Sequence, residues 1–124
     1  MKLLTALSFL VLIATEAPAR KARTIYMNDK KMEPISVGLG RSTILSFPMK
    51  PNKVIFGNQG LFAVEYVDND LAIAALRPGA HSNLFVYVEG RRFGFDLATS
   101  GGAGDEIVLI RDTVDKAIKL RGKR

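Results

Sequence analysis

Leu84-Phe85-Val86-Tyr87-Val88-Glu89-Gly90-Arg91-Arg92-Phe93-Gly94-Phe95-Asp96-Leu97 carries two runs of alternating side chains about a central glycine. Side chains along a strand point alternately to opposite faces. Leu84, Val86 and Val88 therefore share one face, and Phe85 and Tyr87 share the other. On the following run Phe93, Phe95 and Leu97 point one way, while Arg92, Gly94 and Asp96 point the other. Glu89-Gly90-Arg91 between them reads as a hairpin turn.

The same period of two extends outward from this hairpin. Upstream, Leu71, Ile73 and Ala75 alternate, and so do Phe62, Val64 and Tyr66; the turn between these runs is Asp68-Asn69-Asp70, whose short polar side chains bond their own backbone. Val54-Ile55-Phe56 is a short strand closed by Gly57-Asn58-Gln59-Gly60. Thr43, Leu45 and Phe47 alternate, as do Ile35, Val37 and Leu39, and Thr24 to Met27 is a first short strand. Pro48 and Pro51 lack a backbone donor, which places their segment at an edge or in a crossing loop. Downstream, Thr99 to Gly104 reads as a flexible loop and Asp105 to Arg111 as a last strand.

Eight or nine short strands at such spacing imply an all-β sandwich or barrel, here an antiparallel β-sandwich, because no connection is long enough for a crossover helix. The expected organisation is a leader over residues 1–19, an N-terminal segment with the first strand over 20–34, a β-sandwich domain over 35–111 and a basic helical tail over 112–124. In the tail Asp112 is a candidate N-cap and Asp115 lies in the first turn, where an acid suits the helix dipole. Val114, Ala117 and Ile118 share one face of that helix.

The leader has the form of a secretory signal: Lys2, the short apolar run Leu3 to Ala14, then Ala17-Pro18-Ala19 as a small-x-small cleavage site. A membrane span needs about 20 apolar residues, so a cleaved signal is expected over a retained anchor. With no cysteine, neither a disulfide nor a lipid-bearing cysteine is available. The formal net charge is +6. Much of the basic excess sits at Arg20, Lys21 and Arg23 and at Lys116, Lys119, Arg121, Lys123 and Arg124. Such ends are solvated tails or an attachment to an anionic surface.

The residues offer little chemistry. His81 is the one histidine, so Cys–His and multi-histidine sites cannot be built, and a serine–His81–acid triad is only formally available. Asp29, Glu33, Asp68, Asp70, Glu89 and Asp105 fall mostly in turns, which explains them without an acid–base pair. Asp68-Asn69-Asp70 lacks the remaining ligands of a calcium loop. Gly38-Leu39-Gly40 and Gly101-Gly102-Ala103-Gly104 lack the lysine-serine/threonine ending of a phosphate loop. Arg91 and Arg92 beside Phe93 and Phe95 are better explained by core packing than by nucleic-acid binding. No cofactor, no metal and no catalytic residue is expected.

Leu76-Arg77-Pro78-Gly79-Ala80-His81-Ser82-Asn83 leading into the hairpin, with Gly40-Arg41-Ser42-Thr43-Ile44-Leu45-Ser46-Phe47 upstream, resembles the N-terminal β-sandwich domain of the CagX/TraO family of type IV secretion core-complex proteins. The resemblance covers about residues 35–98. Conjugative TraK and the N-terminal modules of pilus-assembly secretins look partly alike. The resemblance implies a periplasmic, non-catalytic component of a secretion or conjugation-type envelope complex that acts by protein–protein binding. That family carries a second C-terminal β domain, whereas this sequence ends at Arg124, so a free-standing adaptor or ring-forming subunit is the expectation. The contact residues expected are Phe85 and Tyr87 on the hairpin and Lys116, Ile118, Lys119 and Arg121 on the tail. Expected partners are envelope proteins and further copies of the chain. The alternative is a polyanion- or cell-wall-binding module using the basic ends.

Overall fold

The computed structural model describes residues 22–114. Among these residues there are nine strands: β1 (Arg23–Met27), β2 (Met32–Gly38), β3 (Ser42–Ser46), β4 (Lys53–Phe56), β5 (Phe62–Val67), β6 (Asp70–Ala75), β7 (His81–Val88), β8 (Arg91–Ser100) and β9 (Ile107–Asp112). They form a five-stranded sheet in the order β1-β9-β3-β6-β5 and a four-stranded sheet in the order β2-β8-β7-β4. The described residues are all-β, and the two sheets share one apolar core in a sandwich-like arrangement.

Alternation assigns the core correctly on the central strands. Leu84, Val86 and Val88 of β7 and Phe93, Phe95 and Leu97 of β8 are buried, as are Leu71, Ile73 and Ala75 of β6. Phe47, just past β3, lies against both core phenylalanines of β8, with ring centroids 6.0 Å from Phe93 and 6.2 Å from Phe95. Such tilted and edge-on contacts suit the ring quadrupoles. Pro48 and Pro51 occupy the crossing loop that carries the chain from β3 in one sheet to β4 in the other.

The sheets are mixed, not antiparallel. β1 pairs with β9, β2 with β8 and β3 with β9 in parallel, while β3–β6, β4–β7, β5–β6 and β7–β8 are antiparallel. A parallel pair requires a long connection between its two strands. Here that connection is a passage through the opposite sheet, so no crossover helix is needed. The first strand is thereby part of the packed unit: β1 lies beside β9, with Ile25 and Met27 in the core, so the unit begins upstream of residue 35. Parallel pairing with β2 also extends β8 to Ser100, since Val37 and Gly38 supply partners for Thr99 and Ser100 that β7 does not. Leu39 leaves the alternation and is exposed.

Ion pairs join the sheets at their margins. Arg23 on β1 reaches Glu33 on β2 at 3.3 Å and Asp105 at 3.0 Å. Arg91 on β8 grips Asp112 on β9 through two bonds of 2.6 and 3.0 Å. Asp112 also accepts the backbone N–H of Val114 at 3.0 Å, a bond of the type an N-cap residue makes. The remainder of the expected tail helix lies outside the described residues.

Candidate functional site

The register of the four-stranded sheet determines which side chains meet on its outer face. Met32 of β2 is opposite Gly94 of β8, Gly94 is opposite Phe85 of β7, and Phe85 is opposite Ile55 of β4. These four residues form one row across every strand of the sheet. Met32 and Ile55 are 39% and 42% exposed, and Phe85 is half-buried.

Gly94 makes the row continuous. A Cβ built on it would lie 2.2 Å from Sδ of Met32 and 3.3 Å from a ring carbon of Phe85. The thioether therefore lies across the glycine toward the aromatic ring, the adaptable apolar filling to which methionine is suited. The outcome is an apolar belt on a face where a two-layer fold ordinarily carries polar side chains.

Polar rows border the belt on each side. Arg92 is opposite Tyr87 and Tyr87 is opposite Lys53, placing a half-buried phenol between two exposed cations. Arg92 is steadied by a bond from Nη2 to the carbonyl of Asp29 at 3.3 Å. On the other side Pro34, Asp96 and Asn83 align, with Gly57 donating its backbone N–H to the Asn83 carbonyl at 3.1 Å. The apolar belt with one basic and one polar border has the composition of a protein contact surface.

Phe85 and Tyr87 thus lie on the face expected from alternation, and the structure brings them together with Met32, Ile55, Lys53 and Arg92. Lys116, Ile118, Lys119 and Arg121 lie outside the described residues. The companions of Phe85 and Tyr87 come from three other strands, so no single stretch of sequence names them. The one local signal was Gly94, a glycine within an otherwise large-residue strand, which marks close approach by another group.

His81 and Ser82 are neighbours on β7 and so point to opposite faces. Ser82 Oγ donates to the Asn83 carbonyl at 2.9 Å and accepts the N–H of Asn58 at 3.1 Å. Among the described residues no hydrogen bond links His81 to Ser82 or Asp96, and no group of three or more His, Asp or Glu side chains is placed to hold a metal. Asp105, read as a turn carboxylate, instead accepts from Arg23 and from the Ser36 N–H at 2.9 Å, while its own backbone carbonyl accepts the hydroxyl of the buried Thr43 at 2.5 Å. Its role is to join strands.

No protein-family model matches this chain, and a search of curated proteins finds no match to it.

Proposed function

We propose that this chain is a non-catalytic scaffold of a secretion or conjugation-type envelope complex, exported to the periplasm and acting by protein–protein binding. The observation that carries this reading is the apolar row Met32–Gly94–Phe85–Ile55 crossing all four strands of one sheet. Exposed contiguous apolar surface marks sites of association. The likeness of residues 35–98 to the CagX/TraO N-terminal domain supports the same reading. Aromatic side chains anchor such contacts, so Phe85 and Tyr87 are the central groups.

A photo-crosslinking side chain at position 87, in chain expressed in the envelope of a bacterium carrying such an apparatus, tests this. Capture of a component of that apparatus is expected, with much less capture from position 72 on the other sheet. Equal capture at both positions, or none at 87, would overturn the reading.

The row Lys53–Tyr87–Arg92 favours a second reading, attachment to an anionic cell-wall polymer. It requires retention on such a polymer that falls steeply with salt and is lost in Lys53→Ala/Arg92→Ala. Retention unaffected by both changes would dismiss it.

A further inference from the structure

Four strands lie at the sheet margins: β1 and β5 in one sheet, β2 and β4 in the other. An edge strand presents unpaired backbone groups, and proteins ordinarily blunt it with proline, charge, brevity or cover. Three of these edges are blunted. β2 carries Pro34. β4 has only four residues, begins with Lys53 and follows Pro51. β1 is tied to β2 by Arg23, and Lys31 Nζ donates to its Tyr26 carbonyl at 3.4 Å.

β5 has none of these devices except one charge, Glu65. Leu76 donates its N–H to the Leu61 carbonyl at 2.9 Å, which sets the hydrogen-bonded pairs of the β5–β6 ladder at Ala63–Ala74, Glu65–Ala72 and Val67–Asp70. The N–H and C=O groups of Phe62, Val64 and Tyr66 consequently point away from β6, at the free margin of the sheet, and no strand of the described residues pairs with them. Tyr66 and Val67 are 47% and 53% exposed at the same edge.

We infer that two copies of this chain join through β5, strand to strand and antiparallel, in a register centred on Val64. This register follows from the residues. With Val64 opposite Val64 of the second copy, Phe62 lies opposite Tyr66 of the second copy, and all three outward-pointing residues of each strand find partners. Glu65 lies opposite Ala63 of the second copy, and Val67 opposite Leu61. Sliding the pairing by one step toward Tyr66 places Glu65 against Glu65, a like-charge pair that antiparallel sheets disfavour. Sliding it the other way sets Tyr66 against Gly60, outside the strand, and leaves it without a partner. The contact is isologous and closes as a dimer, and it merges two five-stranded sheets into one. It deepens the scaffold reading by naming a partner, but it uses the opposite sheet from the Phe85–Tyr87 face.

The chain has no cysteine, so single-cysteine variants test the register in the full processed protein. Ala63 and Glu65 are exposed, and their replacement leaves the core untouched. In an antiparallel pair the positions between hydrogen-bonded partners approach to about 4.5 Å between Cα atoms, close enough for a disulfide. An equal mixture of Ala63→Cys and Glu65→Cys should crosslink to a covalent dimer under mild oxidation, and either variant alone should not. In sedimentation, Ala63→Glu should weaken the dimer roughly tenfold by opposing Glu65, and Ala63→Lys should strengthen it. A monomer at all concentrations, crosslinking equal in the single variants and the mixture, or capture of a different protein by the β5 edge would each overturn the inference. Phe85→Ala and Tyr87→Ala should leave the dimer intact while removing partner capture, so the two proposals fail separately.

Discussion

The guanidinium of Arg23 holds both carboxylate oxygens of Asp105, Nε lying 3.0 Å from Oδ1 and Nη2 3.3 Å from Oδ2, across a sequence separation of 82 residues. Asp105 also exchanges backbone contacts with β2, accepting the Ser36 N–H at its side chain and donating its own N–H to the Ser36 carbonyl at 2.7 Å. Asp105→Ala leaves the Ser36 N–H and the Arg23 charge without this acceptor. A loss of about 1–3 kcal/mol is expected, read as a lower urea midpoint at unchanged slope. Arg23→Ala should cost less, because its side chain is 40% exposed.

The same tie resists alkali. Burial lowers the pKa of Arg23, but the bonds and charges of Asp105 and Glu33 outweigh it and hold the group above its ordinary value. A raised pKa contributes stability that is complete below the unfolded value and is lost only as pH rises through the folded one. The stability difference between the parent and Arg23→Gln should therefore stay constant from neutrality to roughly pH 10. A difference that shrinks within that window would contradict the assignment.

At position 104 backbone approaches backbone closely. A Cβ on Gly104, whose φ is 67°, would lie 2.6 Å from the Gly38 nitrogen and 2.7 Å from the Ser36 carbonyl oxygen. Backbone cannot swing aside as a side chain can, so Gly104→Ala should cost about 1–3 kcal/mol or more. Gly102→Ala, whose nearest neighbour is Ser100 Oγ at 3.6 Å, should stay within about 0.5 kcal/mol. Thermal melts of the two variants test the contrast.

The two faces of the hairpin predict opposite phenotypes. Phe95 is fully buried, and Phe95→Ala should destabilise by about 3–5 kcal/mol. Phe85 is half-buried on the outer face, so Phe85→Ala should cost only about 1 kcal/mol while abolishing partner capture. Paired denaturation and capture measurements separate the two roles.

The β7–β8 turn is improvable. Glu89 and Gly90 have φ values of 45° and 75°, the pattern of a type I′ turn, in which asparagine is favoured at the first position. Glu89→Asn should relieve left-handed strain and raise stability by about 0.5–1 kcal/mol. An unchanged or lower urea midpoint would show that the strain is absent.

The all-β class and the inward faces of the central strands are legible in the amino-acid order, because side-chain alternation is a property of neighbouring residues. Leu84, Phe93 and Phe95 could be assigned to the core from their own strands. Which strands pair is settled by packing and not by any local pattern. The parallel partners of β1, β2 and β3 are set by passage of the chain between two sheets, and no local pattern encodes that. For the same reason the row Met32–Gly94–Phe85–Ile55 was hidden, since its members come from four strands and become neighbours only through register. Asp105 is legible as a polar residue near a turn; its grip on Arg23 requires β1 to meet the segment before β9, and only packing brings them together.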